Sequence, residues 1–146
     1  MTSIQKPQLK FDIKQMKTRP LNKIFLIILH HSCGTGSVED IHKLHRERNG
    51  WAGIGYHYYI RTDGTIYAGR PIEYIGAHCP SNNQYSIGIC LEGDFRKTNP
   101  TEEQIQSGKE LINWLKKDYP SIKRVLNHND LYATLCPVVN LKGILK

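Results

Sequence analysis

The chain reads as an α/β protein: a single domain with a central mixed β-sheet flanked by helices. Three observations predict this. Ile24 to Leu29 is an unbroken apolar run rich in β-branched residues, as a central strand covered on both faces requires. Thr62-Asp63-Gly64 separates two strand-like stretches and marks a hairpin turn. Thr101-Glu102-Glu103-Gln104, directly after Pro100, is a capping box that opens a long helix. Strands mixed with helices and one hairpin make an α/β sandwich the economical architecture.

The elements follow in order. Residues 1–20 have weak periodicity and end at Pro20, as expected of a basic arm that either wraps the domain or stays partly mobile. The strand at 24–29 then delivers His30 at its end. Cys33-Gly34-Thr35-Gly36 turns the chain, and Ser37 caps a helix from Val38 to about Arg48, with Val38, Ile41 and either Leu44 or His45 on one face. Gly55 to Arg61 alternates, which places Tyr56, Tyr58 and Ile60 on one face and His57, Tyr59 and Arg61 on the other. Thr65 to Ala68 returns. Ser86 to Leu91 is another buried strand. The helix opened by Thr101 runs to about Asp118, with Ile105, Gly108, Leu111, Ile112 and Leu115 inward. Pro120 stops it, and a short strand from Lys123 to Leu126 leads to His128.

Composition bounds the function. The 146 residues suffice for one core without disulfide staples, and the longest apolar stretch is too short to cross a bilayer. No membrane insertion is expected. The N-terminus has no apolar core region or small-residue cleavage site, so no secretory signal is read. Of the net charge of +7, the segment ahead of the first strand holds +5, from Lys6, Lys10, Lys14, Lys17, Arg19 and Lys23 against Asp12. Such an imbalance favours polyanions in general or serves solubility alone. No zinc-finger spacing, basic heptad helix or aromatic RNA-binding signature is present, so nucleic acid is not expected as a partner. The four cysteines form no C-x-x-C pair or dense framework. Cys90 reads as core, and a Cys33 to Cys79 bridge stays open.

Two distant segments concentrate the chemistry: Leu29-His30-His31-Ser32-Cys33, and His128-Asn129-Asp130-Leu131-Tyr132-Ala133-Thr134-Leu135-Cys136-Pro137. Two imidazoles and a thiolate suit one Zn2+ ion, because zinc takes nitrogen and sulfur in a tetrahedral shell. Three protein ligands leave the fourth position for water, as catalytic sites do. His31 competes with His30, but strand alternation points it the other way. His42 and His45 share a helix face, yet no acidic or cysteine partner is near in sequence, so they read as structural. Glu92 follows a buried strand and is a candidate for orienting a ligand histidine. Cys33 lies in a glycine-rich turn and not at a helix N-terminus, which speaks against a cysteine nucleophile.

These segments, with Gly50-Trp51-Ala52-Gly53-Ile54-Gly55-Tyr56-His57-Tyr58, Asp63-Gly64-Thr65-Ile66-Tyr67-Ala68-Gly69-Arg70, Ile75-Gly76-Ala77-His78 and Asn83 ahead of Ser86-Ile87-Gly88-Ile89, resemble the zinc-dependent N-acetylmuramoyl-L-alanine amidases. This is the type 2 group that includes phage lysozyme-amidases and peptidoglycan-recognition proteins. The likeness runs over roughly residues 20 to 140 and, beside the arm read at 1–20, implies a zinc amidase domain at 21–146. It implies zinc on His30, His128 and Cys136, and hydrolysis of the amide between N-acetylmuramic acid and L-alanine in peptidoglycan. Tyr56 aligns with the family's catalytic tyrosine, as a hydrogen-bond donor to the oxyanion, unless it is simply packed in the core. Thr134 stands where some members have Lys; it either bonds the substrate or fixes its loop. His78 and Asn83 match groove positions, as substrate contacts or loop supports, and Trp51 either stacks on substrate or packs beneath the loop. Val138-Val139 after Pro137, where the family commonly has glycine, predicts altered loop packing. The expected setting is an endolysin or autolysin catalytic part, made in the cytoplasm and acting on the wall after release, with the arm meeting anionic wall polymers. The alternative is a recognition module that binds peptidoglycan without cutting it.

Overall fold

The computed structural model describes residues 3–146. Six strands form one mixed sheet: β1 (Ile4–Gln5), β2 (Leu26–His31), β3 (Tyr58–Ile60), β4 (Ile66–Ala68), β5 (Ser86–Leu91) and β6 (Arg124–Asn127). Their spatial order is β1-β4-β3-β5-β2-β6. Only β3 and β4, joined by the Thr62-Asp63-Gly64 turn, pair antiparallel; the others pair parallel. Gly64 takes the positive φ of +86° that this turn requires. Among the described residues three α-helices, α1 (Val38–Glu47), α2 (Glu102–Asp118) and α3 (Leu141–Ile144), and short 3-10 turns complete the fold.

Alternation along β2 divides the interior into two cores. Ile27 and Leu29 join Ile87, Ile89 and Leu91 of β5 against Leu111, Ile112 and Leu115 of α2. On the other face, Val38, Ile54, Tyr59 and Cys90 pack with Phe11 and Tyr56. His30 follows Leu29, so it projects to this second face, opposite Cys90 in the register. Both long helices begin with the predicted side-chain caps. Ser37 Oγ accepts from Asp40 N and Thr101 Oγ1 from Gln104 N, and each N3 side chain accepts from the cap backbone in return.

The structure corrects several sequence boundaries. The β2 ladder starts at Leu26, because Ile24 N closes a 3-10 turn onto Leu21, and pairing with β5 continues through His31. The alternating run at 55–61 yields only three paired residues, so Tyr56 shares the face of Tyr59 and not that of Tyr58. Just ahead of this strand, His42 Nδ1 and His45 Nδ1 of α1 accept from the backbone N–H groups of Ile54 and Gly55, both at 3.0 Å, while Tyr56 and His57 still bond irregularly to Arg70, Gly69 and Gly88. These histidines therefore form the inner face of α1, while Leu44 is exposed. On α2, Gln104 is buried because its amide donates to the carbonyls of Ile60 and Glu92, linking helix to sheet.

Residues 3–20 wrap the domain. Ile4 and Gln5 pair with β4, Asp12 N donates to Ala52 O, and Phe11 meets His42 edge to face. Lys6, Lys10, Lys14 and Lys17 point to solvent. Arg19 does not: it is 8% exposed and donates to the carbonyls of Ile72, Asn83 and Ser86. It therefore leaves the surface charge assigned to the arm.

Two buried histidines make the fold acid-sensitive. Burial is the main cause holding His57 at about 3 and His45 at about 4, against an ordinary value of 6.5. The folded protein keeps both neutral while the unfolded chain takes up their protons below pH 6.5, so stability falls as pH drops from 6.5 towards 4. The denaturant midpoint at pH 4.5 is expected well below that at pH 7; equal midpoints would contradict the buried neutral histidines.

Candidate metal centre

The parallel strands β2 and β6 are neighbours, so their C-terminal ends bring His30 and His128 together although 98 residues separate them. His30 Nδ1 lies 3.1 Å from His128 Nδ1 and 3.9 Å from Cys136 Sγ. All three donor atoms fall within 4.8 Å of one another. Bonds of about 2.05 Å to nitrogen and 2.3 Å to sulfur in a tetrahedral shell would set two nitrogens about 3.3 Å apart, and nitrogen and sulfur about 3.6 Å apart. The two spacings from His30 agree with these to a few tenths of an ångström and the third stays within 4.8 Å, so the donor set fits such an ion.

The electrostatics point the same way. Burial drives His30 well below its ordinary range, with His128 and His31 adding to it, and burial lowers His128 as well. Both rings are therefore neutral at pH 7, as ligands must be. Burial pushes the Cys136 thiol up to about 11, opposed by the His31 N–H that donates to Sγ at 3.4 Å. A thiolate there needs a cation to hold it, and a divalent metal deprotonates a coordinating thiol outright. His128 Nε2 is buried without a hydrogen-bond partner among the described residues.

Around the cluster the predicted residues take different places. The Tyr56 ring centroid lies 5.0 Å from that of His30 and 5.6 Å from that of His45. Burial is the main cause holding its phenol well above 10, so the hydroxyl remains a donor; it lies against Cys90 and within electrostatic reach of Cys136. Thr134 Oγ1 accepts from Cys136 N at 3.2 Å and so shapes the ligand loop. Asn83 Oδ1 accepts from the N–H groups of His78 and Cys79, which commits its carbonyl to the loop. Trp51 is 37% exposed and packs edge to face on His45.

His78 departs from a groove-lining position. It is 7% exposed and sits behind His30, with Nδ1 2.9 Å from His30 Nε2 and Nε2 3.3 Å from Ser86 Oγ. The physical reason is space: Gly76 and Gly88 leave a slot that a Cβ at either position would close on the ring. Ser86 is the residue that sequence reasoning missed here. Its signal, a lone hydroxyl opening an otherwise apolar strand, was present.

His31 turns to the other face, where Nδ1 accepts from Phe95 N. Glu92 orients no ligand histidine. It forms a two-pronged pair with Arg61 and accepts from the N–H groups of Gly36 and Thr62, which ties the loops after β2 and β3 together. His42 and His45 are structural, and all four cysteines are free, so no Cys33 to Cys79 bridge forms.

An α/β domain whose parallel strands end in a three-donor cluster able to hold one metal ion defines the class. Within that class the chain belongs to the N-acetylmuramoyl-L-alanine amidase family, whose pattern it matches over residues 20–138. It is 37% identical over 110 residues to an endolysin of Klebsiella phage KP32, covering 72% of each chain. It is 37% identical over 124 residues to peptidoglycan-recognition protein LB of Drosophila melanogaster, covering 76% of this chain and 53% of that one. Against the solved structure of the N-acetylmuramoyl-L-alanine amidase LysC from Clostridium intestinale URNW, the TM-score is 0.86 at 33% identity, over 99% of this chain and 95% of that one.

Proposed function

We propose that this chain hydrolyses the amide between the lactyl group of N-acetylmuramic acid and L-alanine in bacterial peptidoglycan, with one zinc ion on His30, His128 and Cys136. The observation that carries this is the convergence of those three donors in a chain of the amidase family. His30, His128 and Cys136 would hold the zinc, which would supply a bound water with its pKa lowered to about 7 and a Lewis acid for the scissile carbonyl.

The remaining work falls to the protein. Tyr56, kept protonated by burial, donates its hydroxyl hydrogen to the oxyanion that forms as the carbonyl is attacked. Thr134 sets the geometry of Cys136 and brings no positive charge, so charge stabilisation does not come from that position. The exposed indole of Trp51 offers a stacking face to sugar or peptide. Asn83 supports the groove through the backbone it holds. The substrate lies outside the cytoplasmic membrane, and no helix among the described residues is long and apolar enough to cross one. Four exposed lysines of the arm supply attraction to anionic wall polymers.

Digestion of purified Gram-positive peptidoglycan, with mass spectrometry of the fragments, tests the assignment. Free stem peptides beginning with L-alanine are expected, lost on chelation and restored by zinc. Binding without release, in protein shown to contain zinc, would overturn hydrolysis and leave a recognition module.

A further inference from the structure

The metal-facing nitrogen of His30 is not fixed by the ring alone. A neutral imidazole carries its hydrogen on either nitrogen, and only the tautomer protonated at Nε2 presents an Nδ1 lone pair to a metal. Something must select it. We propose that His78 and Ser86 are positioning residues for the metal centre, forming a relay from the Asn82 carbonyl that holds His30 in its Nε2–H tautomer. This rests on the metal assignment made above.

The direction of the relay follows from its far end. Ser86 Oγ lies 2.8 Å from Asn82 O, and a carbonyl only accepts, so the serine hydroxyl donates there. Its remaining lone pairs can then accept from His78, whose Nε2 is 3.3 Å away. With its hydrogen on Nε2, His78 has a bare Nδ1, and that atom lies 2.9 Å from His30 Nε2. His30 therefore donates from Nε2, and its Nδ1 faces His128 and Cys136 without a hydrogen. The short Ser86 to Asn82 bond is what favours this direction over the reverse chain, in which serine would donate to His78.

The support is built into the fold. A Cβ on Gly88 would come within 2.7 Å of the His78 ring, and one on Gly76 within 2.8 Å, so two glycines make the slot. Asn83 Oδ1 holds the backbone of His78, and the buried Arg19 donates to the carbonyls of Asn83 and Ser86. Ser86 is 0% exposed. The chemistry of the relay also matters. A carboxylate behind His30 would raise ligand basicity and add negative charge to a cluster that already brings a thiolate. A neutral imidazole and hydroxyl orient the ring and leave the charge of the centre unchanged.

Two measurements test this. Long-range 1H–15N spectra of the histidine rings in metal-free wild-type protein are expected to show the Nε2–H tautomer for both His30 and His78. Zinc affinity, by competition with a chromophoric chelator, is expected to fall about 10- to 100-fold in His78→Leu and in Ser86→Ala. His78→Gln, whose amide oxygen accepts the same hydrogen, is expected to recover part of that loss. Should His78→Leu fail to fold, the Ser86→Ala variant and the wild-type spectra decide. An Nδ1–H tautomer for His30, or unchanged zinc affinity in folded Ser86→Ala, would overturn the relay. Wild-type protein with the expected tautomers that takes up no zinc would instead overturn the metal assignment, so the two failures are distinguishable.

Discussion

His128→Ala and Cys136→Ala are each expected to lower amide hydrolysis by about a thousandfold or more and to abolish stoichiometric zinc. The loss is large because Lewis-acid stabilisation is worth several kcal/mol and each 1.36 kcal/mol is tenfold in rate. The fold should survive. Neither residue belongs to the two hydrophobic cores, and both lie beyond β6, on a 3-10 turn and the loop that follows it. That turn has its own supports: Asp130 accepts from Asn127 N and pairs with Lys142 Nζ at 2.9 Å. Loss of metal is therefore expected to loosen residues 131–138 while β2 and β5 keep their slow amide exchange. Activity assays on refolded variants, with circular dichroism and zinc analysis alongside, check this. Retained turnover in both variants would remove the zinc centre from the mechanism.

Tyr56→Phe is expected to reduce kcat by about 10²- to 10³-fold with little change in KM, the pattern of a donor that acts only as the oxyanion forms. Phenylalanine keeps the ring between His30 and His45 and removes only the hydroxyl, so folding and zinc content should match wild type. Steady-state kinetics on a soluble muropeptide separates the outcomes. An unchanged kcat would leave Tyr56 as a packing residue, and a raised KM alone would make it a substrate contact.

Much of the fold was legible because short-range chemistry decides it. Ser37 with Asp40 and Thr101 with Gln104 announce their helices, since a cap satisfies backbone donors a few residues away. The β3–β4 turn was equally local. The length of β3 was not. Ahead of it, His42 and His45 reach from α1 to take the backbone hydrogens of Ile54 and Gly55, contacts that no periodicity contains. The same holds for Arg19, which reads as one more cation of a basic arm and is in fact a buried clamp on three carbonyls.

For the site, the residue types made a single soft-to-borderline metal plausible and the resemblance to the amidases picked out His30, His128 and Cys136; their convergence follows once β2 and β6 are neighbours. Strand alternation also separated His30 from His31. What only the tertiary structure decided was what stands behind the ligands. His78 and Ser86 meet His30 because Gly76 and Gly88 leave room for a ring, and Glu92 turns to Arg61 because the loops after β2 and β3 present their N–H groups to it. Donor chemistry is a property of each residue and survives in the sequence. Burial, tautomer and hydrogen-bond direction belong to the space between residues, and they exist only once the chain has closed around it.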